Sequence, residues 1–161
     1  MPCEGTDAYH HNALPVPERV FHDFKEWTRK HFDLPMLRKV FPIYTILHSV
    51  VIEEEAEISF GRQMGSYPIL IGIPFKIPVR TVCDVVVVDH GMRSVTALPY
   101  PIPINTLPHK AIRWIPGLSK KEITQIITKR PLRTHAEIQK VIGASMPEGL
   151  LDFTVPEAQS P

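Results

Sequence analysis

Two groups of residues in this 161-residue chain have types and spacing that could do chemistry. The first is Pro116-Gly117-Leu118-Ser119 followed by Lys120-Lys121, with Lys129-Arg130-Pro131-Leu132-Arg133-Thr134 downstream. Gly117 can take a positive φ without steric cost and leaves its backbone open to close approach. Ser119 suits the N-cap of a following helix, and Glu122 three residues later completes a capping box. Free N–H groups at a helix start, with the positive end of the helix dipole behind them, make an anion site. Lysines beside that site make a nucleic-acid phosphate the natural ligand. The candidate contacts are the N–H groups of Gly117, Leu118 and Ser119 and the side chains of Lys120, Lys121, Arg130 and Arg133.

The second group is Asp84, Asp89 and His90, with Arg93 close by. A carboxylate next to a histidine at a strand end is an acid/base candidate. The simpler reading is a hairpin turn at Asp89-His90-Gly91, with Asp89 capping it and Arg93 pairing with Asp89, so no catalytic residue is assigned. Tyr9-His10-His11 lacks a third ligand at useful spacing, and Cys3 and Cys83 lie far apart without a C-x-x-C pattern. No metal and no cofactor is expected. Gly61-Arg62-Gln63-Met64-Gly65 lacks the strand-then-helix setting of a nucleotide loop. Arg62 and Tyr67 could instead offer a phosphate contact and a stacking ring on a sheet face. Glu53-Glu54-Glu55 reads as a solvated acidic tip.

The elements that must position these groups follow from periodicity. Residues 1–16 are polar, punctuated by Pro and Gly, and read as a flexible terminus. Residues 17–41 form a helical segment. Val20, Phe21, Phe24, Trp27 and His31 share one face of a helix over 17–31, with Lys25, Glu26, Arg29 and Lys30 mostly opposite. Such a stripe predicts core packing. Pro35 should close that helix, leaving one turn before Pro42. From Tyr44 the period changes to that of strands: 44–52, 57–63, 67–73, 82–88 and 93–98. The continuous Val85-Val86-Val87-Val88 marks a central strand. Five short strands over 42–100 predict a small antiparallel β-barrel of the OB or S1 kind, within an α+β chain. Residues 101–108 are a proline-stiffened strap, with Asn105 or Thr106 as a helix cap. Residues 109–151 are a helical module: a short helix, the hairpin at Gly117, a longer helix through Ile123, Ile126 and Ile127, a break at Pro131, and a restart at Thr134 with Glu137 three positions on. Trp114 belongs to the core between the modules. Val141-Ile142-Gly143 begins a second hairpin that Met146-Pro147-Glu148-Gly149 cuts short. Residues 152–161 form a tail.

Net charge is only +1, but it is unevenly spread. Between His109 and Lys140 stand eight Lys or Arg against Glu122 and Glu137, a local excess of +6. The rest of the chain is net acidic, so the positive charge sits where phosphate binding would need it. With charged residues at 22%, the composition is that of a globular protein. No apolar run reaches membrane-spanning length, and the first residues carry no secretion signal, so a cytoplasmic, membrane-free protein is expected.

Ile115-Pro116-Gly117-Leu118-Ser119 with Lys129-Arg130-Pro131-Leu132-Arg133-Thr134 resembles the helix–hairpin–helix modules of DNA- and RNA-handling proteins. In that family a second glycine usually stands where this chain has Ser119. A wider resemblance rests on three phrases in order: residues 59–68 (SFGRQMGSYP), residues 87–96 (VVDHGMRSVT), and Pro99-Tyr100-Pro101 running into Ile104-Asn105. Followed by the hairpin module, they resemble the C-terminal region of a group of archaeal radical SAM proteins, over roughly residues 17–143. Such enzymes need three closely spaced cysteines for their iron–sulfur cluster, and this chain has two cysteines in all. The resemblance therefore implies a nucleic-acid-binding accessory module, not an enzyme on its own. It would present a substrate to a radical SAM catalytic part located in a partner or parent chain. The alternative is a protein-interaction or scaffold subunit that docks a radical SAM partner or other enzyme through the 17–31 helix and the β-module and touches no nucleic acid.

Overall fold

A computed structural model describes residues 17–66, 68–143 and 146–155. Cys3, the His10-His11 pair and Tyr67 lie outside the described residues.

The chain opens with a helical arm. Helix α1 spans Glu18–Thr28, a π-helical turn covers Arg29–Asp33, and α2 runs Leu34–Val40. Pro35 does not end the helix, contrary to what its position predicts. Thr28, Arg29, Asp33 and Leu34 all keep right-handed helical dihedrals, and the Leu34 N–H reaches the Arg29 carbonyl. The wider turn admits a proline that would otherwise lose a bond and clash with the carbonyl four residues back. The aromatic stripe is not core either. Neither helix has a buried residue; Phe21 is 59% exposed, Phe24 64% and Trp27 49%. Trp27 stacks on His31 and meets Phe32 edge-on, so the rings cover one another in place of a protein core.

Five strands follow: β1 Ile46–Glu54, β2 Ser59–Gln63, β3 Leu70–Ile73, β4 Val82–His90 and β5 Ser94–Pro99. They close into a barrel in the order β1-β2-β3-β5-β4. Four of the pairings are antiparallel, but β3 and β5 run parallel, so the barrel is mixed where an all-antiparallel one was expected. Gly61 allows the β1–β2 pair to close up: a Cβ there would lie 2.6 Å from the Val51 carbonyl oxygen.

The valine run of β4 explains how the chain holds together. Val85 and Val87 point into the barrel with Leu47, Val50, Ile52, Ile71, Ile73 and Val95. Val86 and Val88 point outward into a second core with Leu98, Ile112, Ile126, Leu132 and Ile138. A strand buried on both faces has no polar position to alternate with. The helical module is thus packed directly on the barrel wall.

Beyond the barrel, β6 (Ile102–Pro103) pairs in parallel with β7 (Leu151–Asp152), so the start of the expected tail is part of the fold. Asn105 is not a cap. Its side chain donates to the carbonyls of Leu132 (2.8 Å) and Phe153 (3.1 Å) and accepts from the Leu132 N–H (2.8 Å), stapling the strap to both later segments. Three short helices complete the module: α3 His109–Ile112, with Pro108 at its N-cap position, α4 Lys120–Thr128, and α5 His135–Gln139.

Candidate nucleic-acid interface

Between α3 and α4 the chain turns at Pro116-Gly117. Gly117 has φ of 83°, the left-handed region that glycine occupies freely. Ser119 caps α4: its hydroxyl accepts from the Glu122 N–H, and the Glu122 carboxylate accepts from the Ser119 N–H, a complete capping box. Leu118 packs against the second core, while Gly117, Lys120 and Lys121 are exposed. The Gly117 and Leu118 N–H groups find no acceptor among the described residues.

Ser119 is differently placed. Its N–H donates to Glu122 Oε2 at 2.7 Å, and its hydroxyl donates to the same oxygen. The other carboxylate oxygen accepts from the Gly143 N–H at 2.6 Å. Glu122 therefore fills the anion position at the start of α4 with the chain's own carboxylate. It also ties the first hairpin to Val141-Ile142-Gly143. The Ser119 hydroxyl, followed by the Gly143 and Ser119 N–H groups, lowers the Glu122 pKa from 4.5 to about 2.

The two halves of the basic set lie at opposite ends of α4. Lys120 and Lys121 open the helix and Arg130 lies just beyond its end; nine residues at roughly 1.5 Å each separate them by about 13 Å. Among the described residues, no carboxylate lies within ion-pair range of Lys120, Lys121, Arg130 or Arg133. Arg133 is exposed, and its N–H donates to Glu137 Oε2 at 2.7 Å. Thr134 accepts from the Glu137 N–H, so the second capping residue is also in place. Arg130 is half-buried, and its Nε and Nη2 are buried without a partner among the described residues. Burial pushes its pKa down from the usual guanidinium value. Lys110 is committed elsewhere, bonding Glu57 on the barrel at 2.7 Å. Trp114 packs on the second core with the Arg113 guanidinium 5.8 Å from its ring centroid.

The acid/base candidates do not assemble. His90 and Asp89 belong to β4 rather than to a turn, which starts at Gly91. His90 Nε2 is bonded to the Phe41 carbonyl at 2.6 Å, and Asp89 accepts from the His90 backbone N–H. Arg93 pairs with Asp33 of the arm at 3.5 Å, not with Asp89. Asp84 faces another histidine: His48 Nδ1 lies 2.8 Å from Asp84 Oδ2, and the Ser49 N–H donates to Oδ1 at 2.9 Å. The Ser49 N–H, then His48, hold the Asp84 carboxyl below its ordinary range. Sequence inspection missed this pair because its members are 36 residues apart, joined by a β1–β4 irregularity where Ser49 takes φ of 56°. Both side chains are exposed on the barrel wall.

Arg62 sits in β2, engaged with Glu53, and Gly61–Gln63 is strand rather than loop. No three His, Cys, Asp or Glu among the described residues converge as metal ligands. Cys83 is a lone half-buried thiol, its pKa raised by burial and by Asp84. No helix among the described residues is long and apolar enough to cross a membrane.

No protein-family model matches the chain, and no solved structure matches it. It is similar to an uncharacterized protein of Archaeoglobus fulgidus, 33% identical over 130 residues that make 81% of this chain and 24% of that protein. It is also similar to an uncharacterized protein of Methanocaldococcus jannaschii, 45% identical over 101 residues, 60% of this chain and 19% of that protein. The chain spans a quarter or less of the length of these archaeal relatives.

Proposed function

We propose that the protein is a nucleic-acid-binding accessory module, in which an OB- or S1-type barrel carries a helix–hairpin–helix that holds phosphate. A five-stranded closed barrel with the order β1-β2-β3-β5-β4 is compatible with the OB reading. The observation that carries the proposal is the state of the basic residues. Lys120, Lys121, Arg130 and Arg133 stand without carboxylate partners among the described residues, on the segment that concentrates the positive charge. Beside them are the Gly117 and Leu118 N–H groups, which find no acceptor among the described residues.

In this reading Gly117 and Leu118 donate to one phosphate while Lys120 and Lys121 neutralise it. The exposed Arg133, past the far end of α4, meets another phosphate, with the half-buried Arg130 adding its charge from behind. Ser119 shapes the loop and leaves the contact to its neighbours, because Glu122 holds its N–H. None of these groups reads base edges, so binding is independent of sequence and weakened by salt. Through the resemblance to radical SAM proteins, the module would present a nucleic-acid substrate to a catalytic part in a partner or parent chain. The additional length of the archaeal relatives is consistent with that division.

A second reading, docking to a protein without nucleic-acid contact, is favoured by the exposed aromatic face of α1. Fluorescence anisotropy with short single- and double-stranded DNA and with tRNA, starting at low ionic strength, separates the two. Binding to any of the three that falls steeply with salt supports the first. No binding at low salt would leave only the second.

A further inference from the structure

The arm and the barrel enclose a cleft that takes no part in the interface above. Its volume is about 720 Å³, within the range of small-molecule sites. Three arginines from three separate elements line it: Arg29 from the π turn, Arg62 from β2 and Arg93 from the β4–β5 connection. Among the described residues, Asp33 is the one lining carboxylate. Apolar side chains that the fold leaves uncovered form another wall; Met36 is 58% exposed and Val40 56%.

We propose that this cleft binds a nucleotide unit, with its base against the apolar wall and its phosphate between the arginines. A site with an apolar side and guanidinium groups on its rim suits a ligand with one flat, poorly hydrated part and one anionic part. Guanidinium is the side chain whose planar fork matches phosphate. Each arginine now rests on a carboxylate: Arg29 on Glu26, Arg62 on Glu53 and Arg93 on Asp33. The Arg62 and Arg93 pairs are open to solvent, the Arg93 side chain being 69% accessible, and such pairs hold weakly, while Arg29 is half-buried. A phosphate with three acceptor oxygens can take two guanidiniums at once, which no single one of these carboxylates does. Asp33 opposes the ligand, since it lines the cleft with the same sign of charge. The cleft is independent of the hairpin, which lies on the other module.

The test is a titration of the ¹⁵N-labelled chain with AMP, followed by amide shifts, with parallel titrations of adenosine, inorganic phosphate and a 5′-phosphorylated dinucleotide. The expected result is saturable shifts around Asp33, Met36, Arg62 and Arg93. Adenosine and phosphate should each bind about tenfold more weakly or worse than AMP. Arg62→Ala and Arg93→Ala should each weaken AMP by about tenfold, and Asp33→Asn should tighten it several-fold. The Asp33→Asn gain cannot come from misfolding. A dinucleotide tighter than AMP identifies a strand end as the source, and a weaker one identifies a free nucleotide; both support the site. Absence of shifts at millimolar AMP, shifts confined to residues 115–121, or affinity indifferent to both arginine substitutions would overturn the proposal.

Discussion

Replacing Glu122 with glutamine should loosen the Gly117 turn near neutral pH, by an amount that shrinks as the pH falls below about 4.5. The carboxylate accepts from three donors: the Ser119 N–H, the Ser119 hydroxyl and the Gly143 N–H. Together they bring its pKa from 4.5 to about 2. A carboxyl group with a depressed native pKa binds fewer protons in the folded state than in the unfolded state between those two values. Stability therefore rises with pH across that window. The contribution of Glu122 is complete above about pH 4.5 and is lost progressively as the pH falls toward 2. Glu57, Asp84 and Asp152 also titrate low, so the total acid sensitivity is not the diagnostic. The difference between wild type and Glu122→Gln is. Two assays settle it: a ¹³C carboxyl titration that reads Glu122 directly, and thermal melts of both proteins from pH 7 to pH 2. The wild-type advantage should be constant above about pH 5 and shrink below about 4.5. A Glu122 that titrates near 4.5, or an advantage that does not change with pH, would refute the clamp.

Ile126 is fully buried where α4 meets the barrel wall, so Ile126→Ala should cost about 2–5 kcal/mol, read from urea unfolding. Phe24 is 64% exposed, and Phe24→Ala should change stability by less than about 1 kcal/mol in the same assay, against the roughly 3–5 kcal/mol typical of a core phenylalanine. A loss of more than about 2 kcal/mol at Phe24 would mean that the arm packs on the fold after all.

The barrel was legible because its strands are built from β-branched runs whose period changes sharply at Tyr44 and ends at Leu98. All five strands appear, with ends shifted by a few residues. His90 stays in β4 because its ring reaches back to the Phe41 carbonyl, a contact made across 49 residues that no local pattern carries. The parallel β3–β5 closure is likewise a matter of topology. The capping residues Ser119 and Thr134 were legible because a capping box is a local object, its two members three residues apart. Its further partner was not: Gly143 joins Glu122 from 21 residues away. That contact changes the reading of the hairpin, since the carboxylate it anchors holds the Ser119 N–H inside the protein. The arm shows the opposite limit. Periodicity located its apolar face correctly, yet a stripe of Phe and Trp says only that the face is apolar, not that this chain covers it. β7 escaped notice because two residues carry no period at all.

The most direct test of nucleic-acid binding is the slope of log K against log salt for duplex DNA, compared between wild type and the Lys120→Ala/Lys121→Ala variant. Each phosphate contact contributes a slope of about 0.9 on duplex DNA, so loss of both lysines should reduce it by about 1.8. A reduction of roughly one to two units would make the hairpin a phosphate-holding element. An unchanged slope, in a protein that still binds, would contradict its assignment as the nucleic-acid interface.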